Sequence, residues 1–136
     1  MVYVFDSSFV AALIIPDEWN PGVDEIKAGI GEEEEIFIPG LFWYEISNIF
    51  YNLVRRRRYT IDEVFRLFPN LSAIRLTGDH ETGPGYSANL LRLCSDFNLS
   101  SYDAAYLELA KRKNAVLCTM DKSLRAAAKK CGVAVK

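Results

Sequence analysis

Acidic side chains that follow two apolar strand-like runs are the residues in this sequence best suited to chemistry. Asp6 comes directly after the run Val2–Phe5, and Asp121 comes shortly after a second run at 115–119. A helical pattern begins beside each acid. Because open α/β sheets bind ligands at the carboxyl ends of their strands, we expect both carboxylates at one edge of a sheet.

Glu45 and Asp103 lie on predicted helices, on helix faces that also carry apolar residues. Glu45 lies four residues after Leu41 and four before Ile49, so it shares the apolar stripe of its helix. Asp103 lies four residues before Leu107, which puts both on one helix face. A carboxylate that turns toward a core is costly unless it is paired or binds a metal.

Each of these acids also has a structural interpretation. Asp6 and Asp121 are placed to cap the helices that follow them. Asp103 is the fourth residue of the segment 100–103, which has the pattern of a capping box. Glu45 could pair with an arginine. Four acids with unrelated structural roles would rarely meet by chance at one edge of the sheet. Together they would repel one another unless a divalent cation offset their charge. Carboxylate oxygens are ligands that suit Mg²⁺ or Mn²⁺.

Metal-assisted hydrolysis of a phosphodiester is the chemistry that such carboxylates indicate. Ser7 and Thr119, close to the strand-end acids, have hydroxyls that could hold ligands or metal-bound water, and both could equally be ordinary turn residues. His80 is the single histidine and lies in a polar loop, which argues against a Ser-His-Asp triad or a two-histidine ribonuclease. Glycine-rich nucleotide motifs are absent from the sequence.

The composition is that of one globular domain, 1–136, with 50% hydrophobic and 25% charged residues. The net charge of −2 gives no overall electrostatic signature of a nucleic-acid-binding protein. A long predicted helix ends in a basic run that consists of Arg55, Arg56, Arg57 and Arg58. This run either contacts RNA phosphates or is a solvated helix end. Unpaired cysteines, and no targeting or membrane segment, predict a cytoplasmic protein.

Strand patterns alternate with helix patterns along the chain. The predicted strands are 2–5, 36–38, 73–76, 115–119 and 133–135. The predicted helices are 8–15, 21–29, 39–58, 60–69, 86–97, 101–113 and 121–130. This alternation predicts a parallel sheet with helices on both faces. The apolar surplus on the helices includes Trp43, Phe50 and Tyr51, and it predicts an exposed patch. We expect this patch to serve self-association as a two-fold dimer and the binding of a partner protein.

Four sequence blocks, taken in order, resemble the PIN domain family. They are DSS at 6–8, EISN at 45–48, LSSYDAAYL at 99–107 and TMD at 119–121. Each block alone is weak evidence for the family, but the order and the separation of all four blocks fit the family's pattern along the whole chain. The resemblance implies a three-layer α/β/α sandwich with a mostly parallel five-stranded sheet, and a ribonuclease that depends on Mg²⁺ or Mn²⁺.

The resemblance also implies a role for each site residue. The metal site would consist of Asp6, Glu45, Asp103 and Asp121, with Thr119 and Ser7 in support. The compact chain is similar to VapC-type toxins, which implies a homodimer, an RNA substrate and an inhibiting antitoxin protein. The alternatives are a PIN nuclease of RNA processing without an antitoxin and an inactive PIN-like binding module. An aspartate-based phosphatase fits poorly, because its pattern needs a second aspartate where Ser8 stands.

Overall fold

A parallel sheet forms the centre of the molecule in the computed structural model, which describes residues 1–136. Its strands are β1 (Val2–Phe5), β2 (Glu35–Ile38), β3 (Leu76–Gly78) and β4 (Val116–Cys118), in the order β3-β2-β1-β4. All three pairings are parallel. The inner strand β1 is almost wholly apolar and buried, as expected for a strand covered on both faces.

Helices connect and cover the strands. They are α1 (Ser7–Ile14), α2 (Pro21–Ala28), α3 (Phe42–Arg55), α4 (Ile61–Phe65), α5 (Phe68–Ala73), α6 (Pro84–Phe97), α7 (Ser101–Lys113) and α8 (Lys122–Lys130), with a short 3₁₀ turn at Pro16–Glu18. No helix is long and apolar enough to cross a membrane.

Two hydrophobic clusters, one on each face of the sheet, make the fold a three-layer sandwich. Tyr3 and Phe5 of β1 pack in the cluster of α1 to α5, while Val4 packs in the cluster of α6 to α8. This division follows from the alternation of side chains along a strand. The predicted α/β/α architecture with a parallel sheet is therefore confirmed.

The sheet has four strands, and the prediction of five was wrong in this detail. The predicted fifth strand, 133–135, contributes only an isolated parallel bridge between Val135 and Leu117. Around it, the Leu117 amide donates to the Ala134 carbonyl at 2.9 Å, and the Lys136 amide donates to the Leu117 carbonyl at 2.9 Å. This pairing beside β4 is too short to count as a strand.

The segment 60–76 also differs from the prediction. The single helix predicted over 60–69 is two helices, because α4 ends at Phe65 and Pro69 lies in the first turn of α5. Proline is tolerated in a first turn, where its missing amide has no intrahelical partner. α5 continues to Ala73, so the strand predicted from residue 73 begins only at Leu76.

Candidate functional site

Asp6 and the turn at 119–121 leave the sheet side by side. Phe5 pairs with Cys118 across the β1–β4 ladder, and the Asp6 amide donates to the Cys118 carbonyl at 3.2 Å. Neighbouring strands lie about 4.8 Å apart, so residues that follow them are close in space. The predicted adjacency of the two strand ends is confirmed.

Asp6 is nearly buried, with 4% of its surface exposed, and both of its carboxylate oxygens are hydrogen-bonded. Oδ1 accepts from the Phe9 amide at 2.8 Å and from the Ser8 hydroxyl at 2.7 Å, while Oδ2 accepts from the Thr119 hydroxyl. Asp6 therefore does cap α1, as its structural interpretation predicts, but the cap uses only one oxygen.

Burial raises the pKa of Asp6 from its ordinary value of 3.8 to about 6. Hydrogen bonds from Thr119, Ser8 and Phe9 oppose the rise, and the negative charge of Glu45 adds to it. A positive charge placed between Asp6 and Glu45 would offset the repulsion between the two carboxylates.

The 119–121 turn is organised by the buried hydroxyl of Thr119. This hydroxyl donates to Asp6 and accepts from the Asp121 amide at 2.9 Å. Asp121 itself is exposed and caps α8, with Oδ1 accepting from the Leu124 amide at 2.7 Å. The structural interpretation of Asp121 as a cap is thus also observed, and its other oxygen makes no hydrogen bond to the protein.

Glu45 is half-buried near the start of α3 and does not pair with an arginine. Its Oε1 accepts from the Tyr106 hydroxyl at 2.5 Å and from the Ser7 hydroxyl at 3.2 Å. The hydroxyl of Ser7 therefore supports an acid from another element, and the arginine alternative for Glu45 does not hold.

Asp103 is half-buried in the first turn of α7. Ser100 caps this helix by accepting from the Asp103 amide at 3.2 Å, but the return bond that would complete a capping box is not formed. Burial raises the pKa of Asp103, and the charges of Asp121 and Glu45 raise it further. Asp103 is therefore coupled electrostatically to Asp121 and Glu45.

The four predicted acids do not form an all-protein cage for a metal ion, because no group of three or more His, Cys, Asp or Glu side chains is arranged to hold one. Mg²⁺ usually keeps several waters and is bound through one or two carboxylates, so a pair of these acids with water is the arrangement that would be required. The oxygens that could hold such an ion belong to Asp6, Glu45, Asp103 and Asp121.

The basic run lies away from the four predicted site acids. Arg55, Arg56, Arg57 and Arg58 are exposed at the C-terminal end of α3, whereas Glu45 is near its start. A helical rise of 1.5 Å per residue separates Glu45 from Arg55 by about 15 Å along the axis. Arg58 also pairs with Asp17 at 2.9 Å and with Glu18 at 3.4 Å.

Two contributors to the site escaped the sequence reasoning. Tyr106 follows Asp103 by three residues, which places both on one face of α7, and this spacing was the available signal. Ser8 bonds Asp6 and also accepts from the Met120 amide at 3.0 Å, so it joins the two strand ends. Nothing in its local sequence distinguishes it from a helix-start serine.

Comparisons with known proteins agree on one family. Residues 3–130 match the sequence model of the PIN domain. Ribonuclease VapC3 of Pyrobaculum aerophilum is 26% identical over 128 residues, which are 91% of this chain and 92% of that protein.

Solved structures share the fold along the whole chain. PAE2754 from Pyrobaculum aerophilum has a TM-score of 0.68 at 27% identity, over 99% of this chain and 83% of that one. VapBC-1 from nontypeable Haemophilus influenzae has a TM-score of 0.68 at 11% identity, over 100% of this chain and 97% of that one.

Proposed function

This chain belongs to the PIN domain family, and from that premise we propose that it is a Mg²⁺- or Mn²⁺-dependent endoribonuclease. The observation that carries the proposal is the meeting of acids at the carboxyl edge of the sheet. The Thr119 hydroxyl joins Asp6 to the turn that carries Asp121, and Ser7, directly after Asp6, donates to Glu45. The similarity to a ribonuclease, VapC3, supports RNA as the substrate.

In the proposed site, the acids would bind the cation and two hydroxyl groups would hold the acids in place. The cation would be held by one or two carboxylates of the acidic cluster together with water, and the candidates are Asp6, Glu45, Asp103 and Asp121. When bound, it supplies an activated water and stabilises charge on the phosphoryl oxygens. The hydroxyl of Thr119 fixes Asp6 against the turn that carries Asp121, and that of Ser7 fixes Glu45.

Cleavage of RNA by the purified protein, with and without a chelator, tests the proposal. We expect cleavage of assorted RNAs with Mn²⁺ or Mg²⁺, its loss on addition of EDTA, and its return with excess metal. The Asp6→Asn protein, purified identically, is the control for contaminating nucleases. Cleavage that persists in EDTA would contradict a metal-dependent site.

An antitoxin is the partner that we propose for this nuclease, making it the toxin of a toxin–antitoxin pair. The similarity to VapC3 supports this role, and VapBC-1 shares the fold. A short reading frame beside the gene, whose product co-purifies and blocks cleavage, would distinguish a toxin from a PIN nuclease of RNA processing. An inactive binding module would bind RNA or protein without cleaving it.

In this proposal the arginine run contributes to RNA binding through nucleotides that lie a few positions from the cleaved bond. An RNA would have to extend about 15 Å from the acids, along α3, to reach Arg55. Arg58 is already paired with acids of the 3₁₀ turn, so Arg55, Arg56 and Arg57 are the better candidates.

Self-association through an aromatic patch is a further part of the proposal. The patch consists of Trp43, Phe65 and Phe68, which are 48%, 61% and 40% exposed. Trp43 and Phe68 line one groove of about 310 Å³, and the rings of Phe65 and Phe68 stack at 5.7 Å. Phe50, predicted for this surface, is instead buried beneath it at 3% exposure, whereas Tyr51 is exposed as predicted.

We expect a two-fold dimer, with twice the chain mass of 15.4 kDa, in light scattering at micromolar concentration. Phe65→Ser should shift the protein toward monomer, because it removes exposed apolar area from the patch. Leu91→Ser is the matched control, since Leu91 is 70% exposed on α6, in the opposite layer. A strictly monomeric wild-type protein would contradict the dimer.

A further inference from the structure

Glu45 is held by one of its two carboxylate oxygens. Oε1 accepts from Tyr106 at 2.5 Å and from Ser7 at 3.2 Å, while Oε2 makes no hydrogen bond to the protein. We infer that Tyr106 is a positioning residue whose hydroxyl fixes Glu45 so that Oε2 stays available to the divalent cation. This inference rests on the proposed function, because it gives Tyr106 a task toward that cation.

The burial of Tyr106 makes its hydroxyl bond to Glu45 a fixed contact. Tyr106 is 1% exposed, and its hydroxyl donates only to Glu45. A buried hydroxyl without a partner is unfavourable, so the tyrosine and the glutamate hold one another in a single arrangement.

The same contact ties together three elements that carry acids. Ser7 begins α1 directly after Asp6, Glu45 belongs to α3, and Tyr106 follows Asp103 on α7. Both donors meet at one oxygen of Glu45, so the positions of α1, α3 and α7 are linked at the acidic cluster. Supporting shells of this kind keep ligands within a fraction of an ångström of a productive geometry.

A purely structural role for Tyr106 predicts a different outcome from a positioning role. A core hydroxyl that only satisfies a buried acid would affect unfolding, with no effect on metal affinity in the folded protein. A positioning hydroxyl would change metal affinity in a variant that remains folded. Mutation of outer-shell partners of metal ligands typically lowers metal affinity 10- to 100-fold.

The test is Mn²⁺ binding by Tyr106→Phe, measured by electron paramagnetic resonance of free Mn²⁺ with no RNA present. We expect the dissociation constant to rise about 10- to 100-fold. Tyr3→Phe is the matched control, because Tyr3 is a buried tyrosine of β1 whose hydroxyl makes no hydrogen bond to the protein, and its affinity should be unchanged.

A double-mutant cycle with Glu45→Gln shows whether Tyr106 acts through Glu45. We expect Tyr106→Phe to weaken Mn²⁺ binding in the wild-type background and to have little further effect beside Glu45→Gln. Equal weakening in both backgrounds, or unchanged affinity in Tyr106→Phe alone, would overturn the inference. If Tyr106→Phe does not fold by circular dichroism, Tyr106→Met takes its place, since it also removes the hydroxyl; unchanged affinity there overturns the inference as well.

Failure of the inference and failure of the proposed function give different results. If Asp6→Asn loses Mn²⁺ binding while Tyr106→Phe keeps it, only the positioning role is wrong. If wild type binds no Mn²⁺, or if Asp6→Asn binds it as well as wild type does, the proposed metal site itself is wrong and the inference falls with it.

Discussion

Asp6→Asn is expected to lower metal-dependent RNA cleavage by a factor of about a thousand or more while the fold stays intact. A catalytic metal ion is worth several kcal/mol, and each 1.36 kcal/mol of barrier corresponds to about tenfold in rate. Asparagine is nearly as good an N-cap as aspartate, so the bond from the Phe9 amide should persist. Initial cleavage rates at fixed Mn²⁺ measure the first effect.

The metal-free stability of the same variant separates a metal ligand from a structural cap. In EDTA, Asp6→Asn should unfold no more easily than wild type, because a neutral side chain avoids the penalty of burying a charge beside Glu45. Thermal unfolding followed by circular dichroism measures this. A loss of about 1 kcal/mol, as for a removed cap, would favour the purely structural interpretation of Asp6.

The same comparison extends to Asp103 and Asp121. Asp103→Asn and Asp121→Asn should also abolish cleavage without loss of metal-free stability. For Asp121 the chain offers a sharp control, because its Oδ1 caps α8 through the Leu124 amide. Asp121→Ala should lose about 1 kcal/mol of stability that Asp121→Asn retains. Full cleavage by either asparagine variant would remove that residue from the site.

The strand-end acids were predictable because local patterns determine where strands end. A buried apolar run next to a helix pattern placed Asp6 and Asp121 at one sheet edge, and the β1–β4 pairing agrees. Their capping roles were equally readable, since aspartate before a helix is a common cap. The capping role is observed and the role as a metal ligand stays a prediction; the two do not exclude each other, because each cap uses only one oxygen.

Long-range contacts were not readable from the sequence, and there the prediction fell short. Tyr106 lies 61 residues from Glu45, so no local pattern joins them. Phe50 belongs to the apolar surplus that predicts an exposed patch, yet the ring of Phe68 from α5 packs at 5.4 Å and helps to bury it. The partial pairing at 133–135 likewise depends on how the chain returns to β4 after α8.

Stability without metal should fall as pH rises through about 6, the pKa of Asp6 in the folded protein. Because burial raises this pKa from 3.8, the folded protein holds the proton more tightly than the unfolded chain does. The resulting stabilisation is full below about pH 4 and is lost as pH rises through 6. The shift corresponds to about 3 kcal/mol, as each pKa unit is worth 1.36 kcal/mol.

Urea unfolding in EDTA from pH 4 to 7.5, compared between wild type and Asp6→Asn, isolates this contribution. Asp79 has the opposite sign, since its hydrogen bond to Arg112 lowers its pKa and its stabilisation is lost as pH falls. That pair is common to both proteins and cancels in the difference. Relative to the variant, wild type should therefore lose about 3 kcal/mol across this range, and parallel curves would show that Asp6 is not held protonated. The same proton must leave before a cation can bind, so the affinity of wild type for Mn²⁺ should weaken as pH falls below 6.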